Sequence, residues 1–423
     1  MTILRSLSVR VLLALIAGLA LGAAAQTYGG EGARRLIAGV EAVGGLWLNA
    51  LRMTVVPLVF AVLVTGIASV ADAAATGKLA ARATIWFAAL LVVGCGFTLA
   101  FNHGFYAVWP VSEAGAAALR AGAQAPDATA MASATLGDWI RSLAPANPLK
   151  AAAEDAILPL VVFATFFGFA ITRLPQARAL QLTEFFRAVG DAMIQIVRWV
   201  LWAAPLGVFA LGLGVGLRAG FGAAGVLAQY IVAVVASNLG ITVLAFVLAV
   251  VVGRVPLIRW TRAVSPVLVA AFATQSSLAC LPAMIERTRD ELGISPRVTD
   301  LVLPLAVAVF RLTSPVANLA AAIFVAQIYG LAPSAVQYAG AVFVALAVSV
   351  GSVGLPGQVS FFASVAPICL ALGLPLELLP ILLAVEVAPD IFRTVGNVAG
   401  DMSVTTILGR NRSEATDAAP RAA

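Results

Sequence analysis

One apolar stretch near the end of the chain carries four charges, and that combination restricts what the whole chain can become. Residues 376–408 are apolar enough to cross a bilayer, yet they contain Glu386, Asp390, Arg393 and Asp401. At 3.6 residues per turn, positions 386, 390, 393, 394, 397 and 401 share roughly 100° of helix circumference. Ile, Val and Ala fill much of the remainder. Each charge near the bilayer centre costs about 2.5–3.5 kcal/mol on insertion scales. A snorkelling interfacial helix would put its charges at the ends. A polar line down the middle is tolerated when it faces a protein interior or a wet cavity and is paired there. The stripe therefore reads as a buried functional face.

The rest of the chain can supply such an interior. Of 423 residues, 61% are hydrophobic and 11% are charged, against about 25% charged in soluble domains. Several runs reach the ~20 residues that span a bilayer as helix. The fold class is all-α polytopic membrane protein. A net charge of +6 comes mostly from 24 Arg against two Lys, and its distribution reports topology. Clusters at Arg5/Arg10, Lys78/Arg82, Arg173/Arg178/Arg187, Arg254/Arg259/Arg262, Arg287/Arg289/Arg297 and Arg410/Arg412 mark the cytoplasmic side of an inner membrane. Both termini then lie inside, while Arg34 and Arg35 fall outside. No nucleic-acid partner is expected. Cys95, Cys280 and Cys369 read as buried inert thiols, and the sole histidine, His103, as an interfacial side chain.

Spans one to six are expected at about 9–25, 40–71, 82–108, 147–171, 184–217 and 225–252. Residues 110–144, rich in Ala, Gly, Ser and Asp, read as an external loop of low structural content. Residues 264–292 form an apolar run broken by Thr274-Gln275-Ser276-Ser277 and Pro282. Each arm is too short to cross, so the segment reads as a re-entrant hairpin from the cytoplasm. Residues 297–330 are a span interrupted at Arg311-Leu312-Thr313-Ser314-Pro315. Residues 333–372 break at Ser349–Gly357, a second hairpin from outside. The charged span follows, then a tail from Gly409 expected to be disordered. Hairpin plus span occurs twice from opposite faces, the inverted-repeat signature of a secondary transporter. Broken helix ends at mid-depth offer N–H groups to anions and C=O groups to cations.

With these residues in hand, the chain resembles the dicarboxylate/amino acid:cation symporter family, the glutamate transporter homologues. The resemblance is carried by Met53…Pro57-Leu58-Val59-Phe60, Ala204–Ala210, Thr274–Ser277, Leu303-Pro304-Leu305, Gly351…Gly354-Leu355-Pro356-Gly357 and Asp390…Arg393-Thr394…Asn397…Asp401. It implies eight transmembrane helices plus two re-entrant hairpins, working as an elevator in a homotrimer. Residues 1–257 would supply helices 1–6, with helices 2, 4 and 5 as scaffold and helices 3 and 6 joining the mobile part. Residues 258–408 would be the transport core and 409–423 a disordered cytoplasmic tail. By resemblance, Arg393 grips a side-chain carboxylate, Asp390 receives an ammonium group, and Asn397 with Thr394 holds the α-carboxylate. Ser276, Ser277, Gly351, Ser352 and Gly354 complete the cradle, with Arg311 and Ser314 beside it. The acid at 390 favours aspartate or glutamate over a C4-dicarboxylate, because an unpaired buried carboxylate is costly.

The chain also departs from that family. The broken span there reads Asn-Met-Asp-Gly-Thr, whereas this sequence has Phe310, Arg311, Leu312, Thr313 and Ser314. In span three, a family Tyr and a Thr-Ser pair become Leu90, Val93 and Gly94. Hydrocarbon cannot cage sodium, so one cation site looks lost. Asp401 and Asn397 leave a residual sodium site open. Arg311 reads as a tethered cation pairing with Asp401 or Glu386, and protons on Glu386 or Asp401 become candidates for the coupling ion. No other cofactor is expected. A membrane enzyme is disfavoured by the lack of a metal motif or a placed histidine. An anion-conducting channel is disfavoured by the solute-shaped set of Asp390, Arg393 and Asn397.

Overall fold

The computed structural model describes residues 7–75, 77–123, 141, 143–219, 222–351 and 357–417. Its helices run in the order α1 (Leu7–Tyr28), α2 (Glu31–Arg52), α3 (Val55–Ala75), α4 (Lys78–Val108), α5 (Glu113–Ala123) and α6 (Pro148–Ala153). There follow α7 (Ile157–Ile171), α8 (Gln176–Trp202), α9 (Ala204–Ala219), α10 (Gly222–Val251), α11 (Leu257–Thr274) and α12 (Ser277–Asp290). The last are α13 (Pro296–Val309), α14 (Thr313–Ile328), α15 (Ala335–Gly351), α16 (Gly357–Ala371), α17 (Leu379–Val385) and α18 (Val387–Asp417). Five helical segments among the described residues are long and apolar enough to cross a membrane, or six if the bent pair α8/α9 counts as one span.

Proline placement explains four breaks. A proline lacks the N–H that would bond the carbonyl four residues earlier, and its ring crowds that carbonyl. Pro57 lies beyond the Met53-Thr54 break between α2 and α3, and Pro205 beyond Ala203, where α8 and α9 meet at 58°. Pro315 follows the gap between α13 and α14, and Pro389 follows Glu386, which separates α17 from α18. Spans two and five are therefore broken helices, not continuous ones. Pro282 behaves differently. It sits inside α12 without interrupting it, so the first hairpin turns only at Gln275-Ser276. Gln275 takes the left-handed conformation there (φ 51°, ψ 33°).

Three expectations need correcting. Span two begins at Glu31, nine residues before position 40, so Arg34 and Arg35 lie on a helix. The external stretch read as low in structure contains α5, because its alanines favour helix and Ser112 Oγ accepts from Gly115 N at 3.2 Å as a cap. The tail from Gly409 stays helical to Asp417.

Backbones approach closely where side chains are absent. A Cβ on Gly22 of α1 would sit 2.2 Å from Leu213 O of α9, the kind of contact small residues permit between membrane helices. The three cysteines are buried free thiols. His103 is exposed near the end of α4, with its ring edge against Tyr338 at a centroid distance of 5.3 Å. Two apolar clusters flank α18. Phe87, Leu90, Phe310, Leu312, Ala399 and Val404 belong to one. Trp260, Val267, Met284, Leu303, Val398 and Met402 belong to the other. The charged stripe is thus carried by a helix that is enclosed by α4, α10, α11, α12, α13 and α14.

Candidate functional site

Glu386 sits at the break between α17 and α18, and the start of α18 closes around it. Arg393, 2% exposed, ion-pairs with Glu386 through Nη2 and with Asp390 through Nη1 at 3.3 Å. Tyr230 Oη of α10 donates to the other Glu386 oxygen at 3.1 Å, while its ring packs on Phe324 of α14 with centroids 5.0 Å apart. Glu386 is therefore satisfied at both oxygens by a guanidinium and a phenol. Such a buried carboxylate is tolerable because its partners are present. The guanidinium fork reaches two acids at once, which a lysine ammonium cannot imitate in one plane.

Asp401 presents a contrasting environment. It is fully buried, and neither carboxylate oxygen has a hydrogen-bond partner among the described residues. The charged group that acts on it electrostatically is Arg311. Hydrocarbon closes in from the broken helix. Phe310 stacks on Phe87 with centroids 4.5 Å apart and planes 11° apart. A Cβ on Gly400 would meet Leu312 Cδ2 at 2.8 Å and Phe310 Cε1 at 3.4 Å. Leu90 is buried in the same cluster, and Gly94 faces Val316 Cγ2 and Leu312 O. Val93 instead is about half exposed and points away. The broken helix thus brings side-chain carbons of Phe310 and Leu312, not oxygens, against Gly400, the residue before Asp401.

Arg311 bridges elements. Its Nη1 donates to Ser360 Oγ of α16 at 3.4 Å, and it lies within electrostatic reach of Asp390, Asp401 and Arg393. Asn397 Oδ1 accepts from the Thr313 backbone N–H at 2.9 Å, and Thr313 Oγ1 is 2.8 Å from the same oxygen. Thr394 Oγ1 donates to Asp390 O at 3.0 Å, so its proton serves its own helix. Ser314 Oγ is buried and has no hydrogen-bond partner among the described residues.

Glu386, Arg393, Thr394, Asn397 and Asp401 are buried along one stripe with the partly buried Asp390, and Arg311 lies within electrostatic reach of it from the broken helix, where Ser314 is buried at the start of α14. In the first hairpin, Ser276 Oγ caps α12 by accepting from Ala279 N at 3.2 Å, and Ser277 begins that helix. Gly351 ends α15, whereas Ser352 and Gly354 lie outside the described residues. Tyr230, Thr313 and Ser360 were missed by sequence reasoning. Only Thr313 had a signal, standing where the resembled pattern has glycine.

Comparisons with known proteins give matches over nearly the whole chain. The chain is 29% identical over 412 residues to the proton/glutamate-aspartate symporter of Escherichia coli (strain K12), covering 96% of this chain and 92% of that protein. It is 26% identical over 415 residues to a proton/sodium-glutamate symport protein of Bacillus caldotenax, covering 95% and 93%. It is 30% identical over 433 residues to the neutral amino acid transporter B(0) of Oryctolagus cuniculus, covering 92% and 77%. The sodium:dicarboxylate symporter family matches residues 7–411, and the chain belongs to that family.

Proposed function

We propose that this protein is a secondary active symporter for an acidic amino acid, aspartate or glutamate, whose coupling has shifted away from sodium. Membership of the family and the amino-acid symporters among its relatives support a cation-coupled amino-acid symporter. The observation that carries the finer reading is the pairing of an intact Asp390–Arg393–Asn397 face with a hydrocarbon wall of Phe310, Leu312 and Phe87 beside Asp401. Arg393 offers a planar fork for a carboxylate and Asp390 an acceptor for an ammonium group. Arg311 supplies fixed positive charge near Asp390 and Asp401, where a bound cation would otherwise serve.

Charge arithmetic supports a co-transported proton. Glu386, Asp390 and Asp401 against Arg311 and Arg393 leave one excess negative charge when all are ionised. An acidic amino acid adds another, and a buried site cannot hold both without a compensating cation. A proton on Glu386 or Asp401 meets that need, whereas sodium lacks its oxygens. In this reading, residues 258–408 with helices three and six move past a scaffold as an elevator in a homotrimer, and the second hairpin gates.

A second reading is a zwitterionic, neutral amino acid. Arg393 is already engaged by Glu386 and Asp390, so the substrate need not bring a side-chain carboxylate. The test is L-aspartate binding to purified protein in detergent, with sodium replaced by an impermeant organic cation and serine and succinate as competitors. Tight, sodium-independent aspartate binding supports the first reading. Displacement by serine at equal concentration supports the second, and binding only with sodium overturns the loss of sodium coupling.

A further inference from the structure

Thr313 opens α14 at the break, and its contacts fix the orientation of Asn397. The Thr313 backbone N–H donates to Asn397 Oδ1 at 2.9 Å. A backbone N–H can only donate, so the amide atom facing it is the oxygen and the NH2 occupies the other branch. Leu312, at the N-cap position of α14, has no side-chain oxygen to offer. Asn397 caps the half-helix from α18, 84 residues away in sequence. The hydroxyl adds to this. Thr313 Oγ1 lies 2.6 Å from Arg393 O and 2.8 Å from Asn397 Oδ1, and its single proton goes to one of them. In either state Thr313 covers the amide oxygen.

Room for this side chain is made on α18. A Cβ on Gly396 would meet Thr313 Cγ2 at 2.4 Å and Thr242 Oγ1 at 2.7 Å. Thr313 is fully buried, so its methyl has nowhere else to go. Threonine at 313 and glycine at 396 are thus sterically matched.

We propose that Thr313 is a positioning residue that locks Asn397 as a hydrogen-bond donor, so that this point of the site receives a carboxylate oxygen and not an alkali cation. A cation would need the amide oxygen, which Thr313 occupies; a carboxylate needs the NH2, which no hydrogen bond among the described residues uses. The geometry is set by two protein groups and requires no ion. The inference rests on the amino-acid symporter reading above, though not on the identity of the side chain carried, because every amino acid has an α-carboxylate.

The experiment measures amino-acid affinity of the full-length protein in detergent, in sodium and in an organic cation, for Thr313→Ser, Thr313→Val and Asn397→Asp. Thr313→Ser keeps the hydroxyl and is expected to bind within about threefold of wild type. Thr313→Val keeps the shape and the backbone N–H but loses the hydroxyl, and is expected to weaken binding about tenfold and to lower the melting temperature, because Arg393 O and Asn397 Oδ1 lose a buried donor. Asn397→Asp keeps the acceptor for Thr313 but removes the donor. It is expected to lose amino-acid binding and to gain a sodium-dependent rise in melting temperature that wild type lacks. Gly396→Ala should weaken binding, and Thr313→Gly added to it should recover part of the loss. Wild-type affinity in Thr313→Val, or sodium stabilisation of wild type equal to that of Asn397→Asp, overturns the proposal. Serine bound in place of aspartate would revise the substrate while these variants still test the lock. The melting-temperature readout needs no substrate, so it decides the matter even if no tested amino acid binds.

Discussion

Phe310 and Phe87 stack face to face, centroids 4.5 Å apart, at the break where a transported ion would need oxygen. Restoring polar groups there tests the loss directly. Phe310→Asn combined with Leu312→Asp is expected to make aspartate affinity rise at least about tenfold on adding sodium, a gain of ~1.4 kcal/mol. Wild type should change less than about threefold, or ~0.7 kcal/mol. Calorimetric titration in matched sodium and organic-cation buffers checks both, and equal sodium responses in the two proteins would count against the reading.

Arg311 faces a different test, because Asp401 has it as its electrostatic partner and no hydrogen bond of its own among the described residues. Removing the opposite charge that acts on a buried carboxylate is destabilising. Arg311→Met is therefore expected to lower the melting temperature and abolish aspartate binding. Adding Asp401→Asn should restore much of the stability, since the stranded charge is gone. A double-mutant cycle on melting temperature measures the coupling, and purely additive effects would mean that the two groups do not act on each other.

Much of this site was legible in sequence because it follows helix period. The 386–390–393–397–401 stripe depends only on 3.6 residues per turn, and the structure places those residues along one stripe, all buried but the partly buried Asp390. The break at 310–312 was marked by polar residues and by Pro315, whereas 376–408 was read as one continuous helix and the break at Glu386, three residues before Pro389, was not foreseen. Pro282 carried the same mark and broke nothing, because the helix around it tolerates one missing bond. What could not be read were contacts across long sequence separations. Tyr230 meets Glu386 over 156 residues and Thr313 meets Asn397 over 84. Val93 points outward because packing of α4, not its spacing, chooses the face. The start of α2 at Glu31 was hidden by exposed charges that weaken the apolar signal.

Tyr230 offers a clean measurement of what the Glu386 cluster contributes. Tyr230→Phe removes the 3.1 Å bond to Glu386 Oε2 and keeps the ring contact with Phe324. A hydrogen bond to a charged group is worth about 1.5–3 kcal/mol, so a drop in stability of that size is expected. Glu386→Gln goes further, since it keeps the shape and removes the charge. If Glu386 carries the transported proton, Glu386→Gln proteoliposomes should exchange aspartate across the membrane but fail to accumulate it under a pH gradient. Accumulation at the wild-type level would assign the proton elsewhere.

Arg52, at the end of α2, and Glu377, just before α17, form an ion pair at 2.8 Å that joins distant parts of the chain. Arg52 belongs to the segment read as scaffold and Glu377 to the segment read as transport core. The pair is partly exposed, so its contribution to stability is modest, about 0–1 kcal/mol at most surface sites. Its effect should appear in rate instead. If the two segments move past each other, the pair must break in each cycle and holds one end state. Glu377→Gln is then expected to leave equilibrium aspartate affinity within about twofold of wild type while changing the uptake rate several-fold. Uptake kinetics in proteoliposomes alongside calorimetric affinity separate these quantities. A parallel change in both would place Glu377 in the binding reaction, and no change in either would mean that the two segments keep this contact throughout transport.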